Sequence, residues 1–100
     1  MTDYILFMHD DAPVAASAGV EDTCGPYLAK LRASGHFEGG SGIGGGECVN
    51  KGGRNIEISK RLVGFIRVTA ENLTQAREFL QGNPVFEAGG TVEIRELPKT

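Results

Sequence analysis

Long apolar runs, paired cysteine motifs and clustered basic residues are all missing from this chain of 100 residues. The longest apolar stretch near the start, Met1 to Met8, is interrupted by Asp3 and falls far short of the ~18 residues of a membrane span. No basic stretch precedes it, so neither a membrane segment nor a secretion signal is expected, and the cytoplasm is the expected location. Cys24 and Cys48 form no CxxC pair and have no histidine at a zinc interval. That excludes a disulfide scaffold and argues against a bound metal. Lys and Arg are scattered, only Lys60 and Arg61 being adjacent, and the net charge is −3 with pI near 5.3. A nucleic-acid surface needs the opposite pattern.

What is present is an ordinary globular composition, 40% hydrophobic and 23% charged, in one domain's length of chain. The clearest stretch runs from Arg61 to Leu97. Val63, Phe65, Ile66 and Val68 suit a strand, with Phe65 and Arg67 on one face and Ile66 and Val68 on the other. Thr69 can cap a helix in which Leu73, Ala76 and Leu80 share a stripe, with Phe79 beside them. Gly82 ends that helix and Asn83-Pro84 forbids its continuation. Val92, Ile94 and Leu97 then alternate with Glu93 and Arg95, with a slip at Glu96.

The first half is less regular. Asp3 to Met8 reads as a strand covered on both faces, closed by the polar cluster His9 to Pro13. Val14 to Gly19 suits one or two helical turns. Val20, Cys24, Tyr27, Leu28 and Leu31 continue as a buried stripe, and Pro26 predicts that the firm helix starts near that residue. Gly35 is the expected left-handed C-cap, and His36-Phe37-Glu38 opens a second strand.

Between residues 39 and 46 lie Gly40, Gly42 and Gly45 in GxGxxG spacing. The dinucleotide fingerprint needs a helix N-terminus directly after it, and Glu47-Cys48-Val49-Asn50-Lys51-Gly52 cannot begin a long helix. No cofactor is expected. A flexible loop, a bulged strand or a close backbone approach fits the glycines better. Lys51 to Arg54 reads as a hairpin turn between strands Glu47–Asn50 and Asn55–Ser59, with Ile56 and Ile58 on one face.

The order β-α-β-(hairpin)-β-α-β predicts an α+β fold, a ferredoxin-like β-α-β-β-α-β sandwich with both helices on one sheet face. The other face is left apolar. It is expected to pair with a second copy or to wall a ligand cavity, so a homodimer is the expected partner state.

Several stretches resemble the YCII-related, DGPF-like family of small dimeric α+β-barrel proteins. Tyr-Ile-Leu-Phe-Met-His-Asp at 4–10 resembles its first strand with a terminal Asp, and Pro-Tyr-Leu-Ala-Lys-Leu at 26–31 its first helix. Gly64 to Val68, Asn72 to Gln81, Asn-Pro-Val-Phe-Glu-Ala-Gly at 83–89 and Val-Glu-Ile-Arg at 92–95 resemble its second half. The resemblance implies a dimeric α/β barrel with a pocket in each subunit. It also implies an acid/base pair of a helix His with the Asp ending the first strand. Asp10 matches that Asp, Tyr27 stands at the His position, and Cys24 stands where an Arg is common. The region Ile58 to Leu62 lacks the Asp-Gly-Pro-Phe motif of the DGPF branch, and Asn83 replaces an Asp often found before Pro84.

The candidate catalytic residues are His9, Asp10, Tyr27 and His36. Phe7, His9, Tyr27 and Phe65 are the candidate ligand contacts. Each has a plainer reading: Tyr27 as core with a satisfied hydroxyl, His9 as a solvated turn residue, Glu38 and Glu87 as surface carboxylates. Two functions stay open from these residues. A homodimer binding a small molecule between sheet and helices comes first, and an enzyme of proton-transfer or lyase type second. A regulatory or structural accessory role is the third.

Overall fold

A computed structural model describes residues 1–11, 20–53, 57–59 and 61–98, the side chains of 20–24 excepted. Expectations for Val14 to Gly19, for Ile56 and for the side chains of Val20 and Cys24 lie outside the described residues. Four strands, β1 (Thr2–His9), β2 (Phe37–Gly42), β3 (Leu62–Ala70) and β4 (Val92–Leu97), form one antiparallel sheet in the order β2-β3-β1-β4. Helix α1 (Val20–Ala33) links β1 to β2, while α2 (Leu73–Glu78) and the single turn α3 (Pro84–Glu87) link β3 to β4. This is the ferredoxin-like order, and the fold is α+β.

Strand pairing sorts the side chains. Tyr4 and Leu6 on β1 sit opposite Val68 and Ile66 on β3, and all four are buried with Tyr27, Leu31, Ala76 and Leu80 in one cluster beneath the helices. Each fully buried Leu or Val contributes about 2 kcal/mol by leaving water, which is why the two central strands carry the core. The neighbouring residues Ile5, Phe7 and Phe65 face the other side and are half-buried. Ile66 and Phe65 are therefore separated by the sheet.

Several local expectations need correction. Helix α1 passes through Pro26 instead of starting there. Gly25 precedes the proline, and without a Cβ the steric clash that usually bars helical backbone before proline is relieved. Asn72, not Thr69, caps α2: its Oδ1 accepts from Gln75 N at 2.9 Å, while Thr69 is still paired with Asp3 in the sheet. Leu73 is 51% exposed and outside the buried stripe. Gly82, at φ +85, turns the chain, and Asn83 then starts α3 with Pro84 in its first turn. Helix α2 itself ends earlier than expected, at Glu78 with Phe79 as its C-cap, and Pro84 opens the next helix because its missing N–H is no loss at a helix start.

The expected strand Glu47–Asn50 is absent, and residues 57–59 are not in a strand either. The turn between them exists: Gly53 N donates to Asn50 O at 3.1 Å, with Gly53 at φ +73. Val49 is almost fully exposed. A strand with no face to bury cannot offset the entropy of ordering it.

Candidate functional site

The glycines after His36 enter β2 and shape its contact with the helices. Phe37 pairs with Val68, Gly39 with Arg67, Gly40 with Ile66 and Gly42 with Gly64. Two residues, Glu38 and Gly39, therefore oppose one, which is a β-bulge. Gly39 takes φ +128 within it, and the displaced Glu38 carbonyl is satisfied by Arg67 Nη2 at 3.0 Å. Past the bulge, Gly40, Gly42 and Gly64 all lie on the helix side. Three side chains are thus missing where α1 would otherwise meet the sheet.

The result is a cleft of about 310 Å³ over a glycine floor. Met8, Phe37 and Ile66 wall it from the sheet, Leu28 and Arg32 from α1, and Val85 from α3. Leu28 and Arg32 are four apart on one helix face and so reach the same space. The guanidinium of Arg32 lies 5.3 Å from the centre of the Phe37 ring, a cation–π contact at the cleft wall. Ser41 Oγ, also in the lining, donates to Gly42 O at 2.9 Å. Among the described residues no carboxylate lines the cleft.

The sequence-predicted residues fall elsewhere, and the four candidate catalytic groups do not meet. His9 pairs with Leu62 at one end of the β1–β3 ladder, and His36 O accepts from Thr69 N at the other. Seven residues of strand separate those points, roughly 23 Å at about 3.3 Å per residue. Tyr27 is 5% exposed and its hydroxyl donates to Phe79 O at 2.7 Å. His36 Nδ1 donates to Thr69 O at 2.8 Å, and its ring lies 5.0 Å from that of Phe79. Tyr27 and His36 thus both secure the Phe79 segment. Asp10 is exposed, and its backbone N–H donates to Arg61 O. Phe7 and Phe65 face each other across β1 and β3 on the open side of the sheet, and Phe65 also reaches the cleft lining.

His9 is not a solvated turn residue. Its side chain is 12% exposed and Nε2 lies 3.1 Å from Glu93 Oε1, with Arg95 Nη1 donating to Glu93 Oε2 at 3.2 Å. These bonds, Arg95's first and His9's second, hold the Glu93 carboxyl below its usual range. A carboxylate fixed against an imidazole on the open face is an arrangement that can pass a proton. Asp11 is the other carboxylate sequence reading missed. Its Oδ2 accepts from Thr91 Oγ1 at 2.6 Å and its Oδ1 from Thr91 N at 2.7 Å, clamping the end of β1 to the start of β4. Those two bonds lower its pKa. Alternation along β4 was the available signal for Glu93, since it faces the side that Phe7 faces.

Among the described residues no group of three or more His, Cys, Asp or Glu side chains is placed to hold a metal ion, and no helix is long and apolar enough to cross a membrane. Cys48 is exposed, its Sγ 3.6 Å from Glu57 O.

Comparison with known proteins agrees with this fold. The YCII-related domain matches residues 2–99. The chain belongs to the YCII-related family. A solved structure similar to this YCII-related chain is 5-chloro-2-hydroxyhydroquinone dehydrochlorinase from Burkholderia phenoliruptrix AC1100, in complex with 2,5-dihydroxybenzoquinone. The two superpose with a TM-score of 0.62 at 16% identity, over 98% of this chain and 95% of the other. At that identity the likeness speaks for the fold alone. No curated protein matches the sequence.

Proposed function

We propose that this YCII-related protein binds a small flat molecule with an apolar body in the cleft between α1 and the sheet. The carrying observation is the glycine floor: a cleft of about 310 Å³, walled by Met8, Leu28, Phe37, Ile66 and Val85, at the place where three side chains are missing. That volume is at the lower end of small-molecule sites, ~300–1,000 Å³, and suits a single ring better than a dinucleotide. The similar dehydrochlorinase was solved with 2,5-dihydroxybenzoquinone, a ring of that size.

The binding unit in this reading is a homodimer closed through the open sheet face. Ile5, Phe7, Phe65 and Leu97 supply its apolar surface, with Val63 at 40% exposure beside them. Burial of such a row against its own copy would cover the second face of the sheet.

Proton-transfer or lyase-type catalysis is the second reading, favoured by the His9–Glu93 pair. It places a ligand on the opposite side of the sheet, so one experiment separates the two. Titration with dihydroxybenzoquinone, followed by methyl and ring NMR signals, should shift Met8, Leu28 and Ile66. Gly42→Leu should abolish those shifts without unfolding the protein, because a Cβ there has its nearest neighbour, Val63 O, at 3.8 Å. Shifts centred on Phe7 and His9 would instead favour catalysis on the open face, and unchanged shifts in Gly42→Leu would refute the cleft.

A further inference from the structure

The cleft has a charge asymmetry that sets which flat molecules it takes. Among the described residues, Arg32 is the one ionised side chain in the lining. Neither ion pair found among the described residues involves it, and its guanidinium lies over the face of Phe37. A guanidinium stacked on a ring keeps its N–H edge free for a planar acceptor, which it binds through two parallel hydrogen bonds. The remaining walls are apolar, and the hydroxyl of Ser41 already donates to Gly42 O.

Resting on the cleft reading above, we propose that the site selects ring compounds carrying one negative charge, a carboxylate or an ionised ring hydroxyl, and that Arg32 is the residue reading that charge. The ring lies over the glycine floor beside Phe37 and Ile66, and the anion points to the mouth. A second negative charge would lie against Met8, Leu28 or Val85 with no counter-ion. A cation would meet Arg32 without a carboxylate to offset it. The protein's overall charge of −3 gives anions no general attraction, so the preference must be local.

The test compares benzoate with its neutral isostere benzamide by NMR titration. The proteins are the unmodified one, Arg32→Gln, Arg32→Lys and Gly42→Leu. Benzoate is expected to bind at least tenfold more tightly than benzamide to the unmodified protein. Arg32→Gln should erase that preference, Arg32→Lys should restore part of it, and Gly42→Leu should abolish binding of both. Equal affinities in the unmodified protein, or a preference that survives Arg32→Gln, would overturn the charge selection while leaving the cleft standing. Failure of both probes to bind the unmodified protein would overturn the cleft and the selection together.

Discussion

Gly40→Ala and Gly42→Ala differ by two positions in the same strand, yet they should move stability in opposite directions. A Cβ at Gly40 would lie 2.6 Å from Phe65 O and 3.1 Å from Ile66 Cα, both backbone atoms of β3. Ordinary contact begins at 3.4 Å, so one strand would have to retreat by about 0.8 Å. Strand β3 cannot yield, because it is paired on its other side with β1 through Phe7 and Leu6. The retreat falls on β2, which loses ladder hydrogen bonds. Overpacking of this kind costs about 1–3 kcal/mol. At Gly42 the nearest atom is 3.8 Å away, so alanine fits. There the substitution mainly restricts the unfolded chain, contributing about 0.4–1 kcal/mol of stability. The pair should therefore differ by about 2.5 kcal/mol. With a urea slope of about 1–3 kcal/mol per molar for a domain of this size, the midpoints should separate by about 0.8–2.5 M. Amide exchange at Phe65 and Arg67, whose backbone groups face β2, provides the local readout, rising in Gly40→Ala alone. Coincident midpoints, or a Gly42→Ala variant as unstable as Gly40→Ala, would refute the close approach and with it the glycine floor.

Two more predictions bear on the open face and on acid stability. Phe65→Asp should leave a folded chain that sediments as a monomer at micromolar concentration, whereas Ile66→Asp should unfold it, since Ile66 is buried under the helices; a dimer from folded Phe65→Asp would sink the interface. Asp11 binds its proton less readily when folded, because Thr91 donates twice to the ionised form. Its contribution is therefore present above the unfolded aspartate pKa of about 3.9 and is lost as pH falls through the lower folded value. Asp11→Asn should make the fall in thermal midpoint between pH 5 and 3 shallower, and an unchanged slope would show that the clamp carries no linkage.

The elements legible in sequence were those whose periodicity coincides with burial. Ile66 and Val68 alternate with Phe65 and Arg67, and the sheet separates the two sets as the spacing predicts. Gly35 turns out of α1 at φ +80, as a C-cap glycine should. Where two signals competed, local rules chose wrongly. Pro26 outweighed the helical stripe on paper, but Gly25 removes the clash. Thr69 is a good cap former held by pairing with Asp3, leaving the role to Asn72. The candidate site was least legible, because the cleft is made of absent side chains. GxGxxG spacing puts Gly40 and Gly42 on one face of a strand but does not say which face until the bulge at Glu38 is known. His9 and Glu93 are brought together by strand pairing across 84 positions of sequence, a separation no local pattern spans. His9 and His36 likewise lie at opposite ends of one ladder, a placement set by antiparallel pairing.

The unpaired residue at Glu38 lets strand length, as well as residue identity, set what lies under α1. Phe37 and Gly40 are an odd number of positions apart, yet both point at the helices. Dropping one residue there would restore simple alternation and keep the same floor. Adding one would rotate everything after it by half a turn, bringing Ser41 inward and carrying Gly40 and Gly42 out to solvent. Relatives that differ by a single insertion at this point would thus present different chambers while sharing every residue that builds them.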